Sequence, residues 1–369
     1  MVKSDGSKLV LPRWVSCRVW VERPSWDMHG TPAAEMKVAC EYGSDRSMSV
    51  QEGLRATSQK LPAGAEVLHP EYSWTSRWLE VAGGWRLHYV DEGNGPPVLF
   101  LHGNPTWSFY FRRAIADLQP FFRCIAMDHI GCGLSDHPSP QEYDYSLRRR
   151  IDDVEALVEH VVPGQPVALV VHDWGGMIGL GWAGRHPERL AALVAMNTAA
   201  FPKPVAKRLP LGLWLARHTA LGAFLVRRTS LFCRLAARWC VVRRPLPPHI
   251  RRMYLLPYRS ATQRWAVLKF VQTIPLRSTD AGYEIVEQTA ACFSRWQHVP
   301  TLLLWGLADF VFDRHFLDAW QQYLPQAQVR AWPDAGHYLL EDAPEEVLSA
   351  LRDFLLWHHR SLSTPQAVR

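Results

Sequence analysis

With 369 residues, 48% of them hydrophobic and 21% charged, the chain can bury a large core plus a second element and is too apolar for wholesale disorder. Its seven cysteines are odd in number and include no C-x-x-C and no Cys/His cluster of metal-binding spacing, which argues against a disulfide scaffold and fits a reduced, cytoplasmic setting. The net charge of +6 is unevenly spread: Ala199 to Arg295 holds 17 Lys/Arg against 3 Asp/Glu, a surplus of 14, so the remainder stands at −8. No base-stacking or groove-reading module accompanies that surplus, so nucleic acid is not an expected partner; an anionic membrane surface or an acidic protein face is.

Residues 1–64 lack sustained periodicity and read as a poorly ordered extension. Lys3, Lys8 and Arg13 are followed by no apolar h-region, so no secretory leader is expected, and Met28, Met36 and Met48 offer downstream starts. From Trp78 the pattern changes. Trp78–Val81 and Leu87–Val90 alternate as half-buried strands around Gly83-Gly84.

Short continuous apolar runs follow at Val98–Leu101, Cys124–Met127, Val167–Val171, Leu193–Met196 and Leu302–Trp305, with helix-period segments between most of them, such as Leu147–Val161. That alternation predicts an open, mostly parallel, doubly wound α/β sheet covered on both faces. Its strands are expected in 65–197 and 299–369. The alternation breaks over 198–298, where helix-like segments are interrupted by Pro245, Pro247, Pro248, Pro257 and Pro275; this basic insertion is expected to form a helical cap over the carboxyl end of the sheet, where such folds place ligands. Within it, the apolar stretch Leu209–Val226 carries Arg217 and His218, which would be costly in lipid, so an amphipathic helix or hairpin is expected rather than a span.

The run Val167–Val171 leads into His172-Asp173-Trp174-Gly175-Gly176 and an apolar helix. A strand, a sharp turn with small residues and a helix would push the Asp173 carboxylate into the cleft as a candidate nucleophile; the plainer reading is an Asp capping a helix. His337, in the glycine-containing loop Asp334–Tyr338, is the candidate base. Asp309, after the strand Leu302–Trp305, is the candidate acid that orients it, with Asp313 as competitor. Asn197, at the preceding corner, cannot ionise and is set aside. The loop His102-Gly103-Asn104-Pro105 is expected to supply a backbone N–H that pairs with that of Trp174 in an anion site, and the Asn104 amide and Trp174 indole are side-chain donors for a departing anion. No metal site is expected.

HGNPTWSFYFR, DHIGCGLSD, VHDWGGMIGLGWA, NTAAFP, WGLADFVFDRHFL and DAGHYLLED resemble the α/β-hydrolases of the haloalkane dehalogenase group. NTAAFP, YLLPYRS, FVQTIPL and FDRHFL look more like its β-lactone decarboxylase branch, from bacterial olefin biosynthesis. The resemblance covers about residues 70–356. It implies an α/β-hydrolase fold with Asp173 as nucleophile, His337 as base, Asp309 as its acid, and Asn104 with Trp174 holding the leaving anion. The implied reaction converts a cis-3,4-dialkyl-2-oxetanone to a cis-alkene and carbon dioxide, without metal or organic cofactor, by attack at the ring carbon or at the carbonyl. Implied partners are a long-chain hydrophobic substrate and pathway enzymes such as the β-lactone synthetase. Haloalkane dehalogenation would use the same donors for halide; an epoxide hydrolase would need a cap tyrosine, from Tyr254, Tyr258 or Tyr283; a catalytically silent binding protein would need no triad.

Overall fold

The alternating sequence of apolar runs and helix-period segments resolves into strands and helices over residues 70–358, the part that the computed structural model describes; the predicted extension at 1–64 lies outside it. Among the described residues one sheet holds eight strands: β1 (Arg77–Val81), β2 (Trp85–Glu92), β3 (Pro97–Leu101), β4 (Arg123–Met127), β5 (Val167–Asp173), β6 (Leu190–Thr198), β7 (Thr301–Gly306) and β8 (Gln328–Trp332). Their order is β1-β2-β4-β3-β5-β6-β7-β8. Pairing is parallel from β4 to β8, whereas β2 runs antiparallel to both β1 and β4. Each apolar run singled out in the sequence lies within one of these strands.

Continuous apolar runs are needed because both sheet faces are covered. Along β5, Val167, Leu169 and Val171 pack into the core on one face and Ala168 and Val170 into the core on the other, as the two-residue period of a strand requires. Each fully buried aliphatic side chain contributes on the order of 1.5–3 kcal/mol. Helices α1 (Arg112–Leu118), α2 (Leu147–Val161) and α3 (Trp174–Arg185) cover the sheet before the insertion. Leu147, Ile151, Val154, Leu157 and Val158 form the buried stripe of α2, whose first turn is capped by the Ser146 hydroxyl.

Between β6 and β7 the described chain is helical: α4 (Leu211–His218), α5 (Ala220–Arg228), α6 (Leu231–Trp239), α7 (Pro248–Leu255), α8 (Trp265–Gln272) and α9 (Tyr283–Cys292). These helices have a small apolar core of their own, around Ala216, Val226, Tyr258, Val267 and Val271. The α4–α5 pair closes tightly: a Cβ on Gly222 would lie 2.2 Å from the Leu215 carbonyl oxygen, so only glycine admits that approach. Helices α10 (Arg314–Tyr323), α11 (Leu339–Asp342) and α12 (Pro344–Trp357) complete the described chain.

Candidate active site

The parallel strands β3, β5, β6 and β7 deliver their carboxyl ends to one edge of the sheet, and the residues beyond them converge there. Asp173 ends β5 and precedes α3 with φ 52° and ψ −122°, a left-handed φ that costs a non-glycine residue about 1–3 kcal/mol and persists only where its surroundings impose it. They do. A Cβ on Gly103 would lie 1.9 Å from Asp173 Oδ1, one on Gly175 2.0 Å from the Leu101 carbonyl oxygen, and one on Gly176 2.0 Å from Thr198 Oγ1. The Thr198 hydroxyl also donates to the Asp173 carbonyl oxygen.

The Asp173 side chain does not cap its own helix. Its Oδ1 accepts a hydrogen bond of 2.6 Å from the Asn104 N–H, and its Oδ2 lies 3.6 Å from His337 Nε2. The backbone N–H groups of Asn104 and Trp174, expected as a site for a leaving anion, here act on this carboxylate. Burial raises the Asp173 pKa above the ordinary carboxylate range, although His337 and those two N–H groups pull the other way.

His337 follows β8 in a buried loop, and its Nδ1 lies 2.8 Å from Asp309 Oδ2. Burial opposes the imidazolium, but the Asp309 and Asp173 carboxylates outweigh it and raise the His337 pKa. Phe312 stacks on the ring at 5.8 Å, and the His337 carbonyl oxygen is 2.9 Å from His172 Nε2. The competitor Asp313 lies elsewhere: it caps α10 through the His315 N–H and pairs with Lys207 Nζ at 2.8 Å.

Sequence reasoning passed over Asn197 because an amide cannot ionise, yet it holds Asp309 in place. Its Nδ2 donates to Asp309 Oδ2 at 3.0 Å and to the Gly306 carbonyl oxygen at 3.0 Å, and its Oδ1 accepts from the Gly306 N–H at 2.8 Å. Asn197 itself has φ 37°, a region asparagine tolerates better than most residues. Asp309 Oδ1 accepts in turn from the Val311 N–H at 2.7 Å.

Asp173, His337, Asn104 and Trp174 line one end of a cavity of about 730 Å³ that continues between apolar side chains of the cap, among them Leu213, Leu235 and Ile274. Asn104 Nδ2 donates to the Val267 carbonyl oxygen of α8 at 3.1 Å, so only the second amide proton is left for a bound anion. Trp174 packs its ring against Phe270 at 5.1 Å. Among the described residues no tyrosine lines the cavity: Tyr254 donates to Glu341 and Tyr258 to the Thr106 carbonyl oxygen. Among the described residues no three His, Cys, Asp or Glu side chains gather as a metal site.

The chain matches known proteins along most of its length. A family model described as alpha/beta hydrolase fold matches residues 96–344. The chain is 49% identical over 272 residues to the cis-3-alkyl-4-alkyloxetan-2-one decarboxylase of Shewanella oneidensis, covering 74% of this chain and 86% of that one. It is 41% identical to the protein of the same name from Xanthomonas campestris pv. campestris, over 78% of this chain and 98% of that one. A haloalkane dehalogenase of Sphingobium indicum is 31% identical over 76% and 94% of the two chains. Among solved structures, a mutant of the haloalkane dehalogenase DatA from Agrobacterium tumefaciens superposes with a TM-score of 0.70 at 26% identity, covering 78% of this chain and all of that one. The chain therefore belongs to the α/β-hydrolase fold family, in the group that holds the cis-3-alkyl-4-alkyloxetan-2-one decarboxylases and, more distantly, the haloalkane dehalogenases.

Proposed function

We propose that the protein decarboxylates cis-3,4-dialkyl β-lactones to cis-alkenes, with Asp173 as nucleophile. The observation that carries this reading is a buried carboxylate, rather than a hydroxyl, at the tip of the β5–α3 turn, facing a large apolar cavity. A carboxylate displaces a leaving group at saturated carbon and leaves an alkyl ester, whereas serine more naturally attacks carbonyls. The names of the two decarboxylase relatives support the substrate class.

In the first step an Asp173 oxygen attacks the ring carbon that bears the lactone oxygen, from the side opposite that oxygen. The C–O bond breaks, its electron pair stays on the released carboxylate, and Asp173 becomes esterified. The second Asn104 amide proton and the Trp174 indole N–H are the proposed donors to that carboxylate. In the second step the carbon–carbon bond to the carboxylate breaks, carbon dioxide departs, the freed pair forms the double bond, and the ester oxygen returns to Asp173. Backside attack places that oxygen antiperiplanar to the breaking bond without rotation, so two substituents that begin cis remain cis.

Neither step consumes water. His337 would stabilise the negative charge that returns to Asp173, with Asp309 balancing the imidazolium. In a dehalogenase the same imidazole must activate water to hydrolyse the ester. The shared donors at Asn104 and Trp174 are what favour dehalogenation as a second reading.

The two diverge experimentally. Purified protein is offered a long-chain cis-β-lactone, a 1-haloalkane and an epoxide in parallel, and the products are quantified. Cis-alkene from the first with little halide from the second is expected; halide release faster than alkene formation would reverse the assignment. His337→Gln sharpens the comparison: alkene formation should slow by roughly 10- to 100-fold, while any haloalkane turnover should stop after one equivalent.

A further inference from the structure

Besides the buried Ala216, Val226 and Cys233, cap helices α4, α5 and α6 turn several apolar side chains outward. On α4, Leu211, Trp214 and Leu215 are exposed, followed one turn on by His218; on α5, Leu221, Phe224 and Leu225 are exposed, followed by Arg228. Both sets have the i, i+3, i+4, i+7 spacing of a single helix face. Leu211 is 71% exposed, Leu221 69% and Phe224 56%. On α6 the exposed residues are Leu231, Arg234, Arg238 and Trp239. A helix pair in a soluble domain normally turns such a face inward, so this apolar surface faces the medium without a partner in the chain's described part.

The charge around it has one sign. No Asp or Glu occurs between Glu188 and Asp280. Several cap cations are already neutralised, Lys207 by Asp313, Arg217 by Asp280, and Arg243 by Asp334 and Glu346. Arg228, Arg234 and Arg238, on the helices that carry the apolar face, make no ion pair among the described residues.

This surface is continuous with the reaction cavity: Leu215, Leu225 and Leu231 are exposed and also line it. No described helix is long and apolar enough to cross a membrane, so these elements can lie on a bilayer but not span it.

We propose that α4, α5 and α6 dock the protein onto an anionic lipid bilayer, with the leucines and Phe224 entering the headgroup boundary, the arginines meeting lipid phosphates, and the cavity mouth opening toward the acyl region. Apolar area combined with unpaired basic charge is the composition of an interfacial helix. The surface then serves as an entry for water-insoluble substrate. That last clause rests on the dialkyl lactone reading; docking itself does not.

The test uses the full-length protein and vesicles without substrate, so its outcome is independent of which reaction is catalysed. The protein should float with phosphatidylglycerol/phosphatidylcholine vesicles at low salt, float weakly with phosphatidylcholine alone, and be released by about 0.5 M salt. Arg228→Gln, Arg234→Gln and Arg238→Gln together should weaken anionic-vesicle binding on the order of 100-fold, since each basic residue near such a surface is worth roughly fivefold, about 1 kcal/mol. Leu221→Glu with Phe224→Glu should weaken it at least about tenfold; both side chains are exposed, and circular dichroism verifies the fold. Failure to float with either vesicle type at low salt overturns the proposal. So does binding that both variants retain, which would move the contact elsewhere in the chain. A dimer in light scattering that Leu221→Glu with Phe224→Glu dissolves would make the face an interface between two copies instead.

Discussion

Asp173 and His337 place an acid and a base, both buried, 3.6 Å apart, with both pKa values moved upward by their surroundings. If the reaction needs Asp173 ionised and His337 charged, its pH profile is a bell whose acid limb lies above the ordinary carboxylate value and whose alkaline limb lies above about 6.5. Because the groups interact, the limbs belong to the pair. Removing Asp309 should lower the imidazole pKa, so Asp309→Asn is expected to shift the alkaline limb down and reduce activity by roughly 10- to 100-fold. Asp313→Asn should leave both nearly unchanged, since asparagine still caps α10, at a stability cost of about 1 kcal/mol for the lost ion pair with Lys207. Histidine NMR titration and rate profiles of the two variants check this, and the reverse order would move the partner acid four residues along. The sign of the linkage for Asp173 is that of an acid raised by folding: its favourable contribution exists below the unfolded pKa and is lost as pH rises through the folded one. Asp173→Asn should therefore melt a few degrees above the unmodified protein at neutral pH.

The turn between β5 and α3 was legible in the sequence because strand, tip and helix are contiguous, and its glycines mark where backbone must pass close to backbone. They are not equivalent. A methyl group on Gly175 meets the Leu101 carbonyl oxygen of β3, which cannot move without the sheet, whereas one on Gly176 meets first the Thr198 Oγ1, a side-chain atom that can yield only by giving up its hydrogen bond to the Asp173 carbonyl oxygen, and then the Ala199 carbonyl oxygen at 2.9 Å. Gly175→Ala should thus cost about 3 kcal/mol and Gly176→Ala somewhat less, about 2 kcal/mol, within the usual range for overpacking; urea denaturation measures both. Strand positions were equally legible, since a fully buried parallel strand needs an unbroken apolar run. Two features were not. Asn197 acts only through residues more than 100 positions away, a relation no local pattern contains. The outward apolar faces of α4 and α5 have ordinary helical periodicity, and periodicity does not say which face is turned to solvent.

Across the whole molecule the charge surplus of residues 199–295 proved partly internal. Lys207 and Arg243 reach carboxylates outside that segment, which the −8 balance of the remaining chain permits. Arg228, Arg234 and Arg238, on helices next to the cavity, make no ion pair among the described residues, so one segment supplies the cavity's apolar wall and carries these cations. Where the fold puts the cavity follows from topology: β3 is flanked by β4 and β5, and the crevice at the carboxyl ends of such strands is where open α/β sheets bind ligands. The proposed chemistry depends on a single covalent event, esterification of Asp173 by intact lactone. Rapid acid quench during the first turnover on a cis-β-lactone, followed by mass spectrometry of the peptide containing Asp173, observes that event directly. The expected result is a transient mass increase equal to the whole lactone, decaying as cis-alkene appears and absent from Asp173→Asn, which should make no alkene. An adduct on another residue, or alkene formed at the normal rate by freshly prepared Asp173→Asn shown to be free of deamidation, would contradict it.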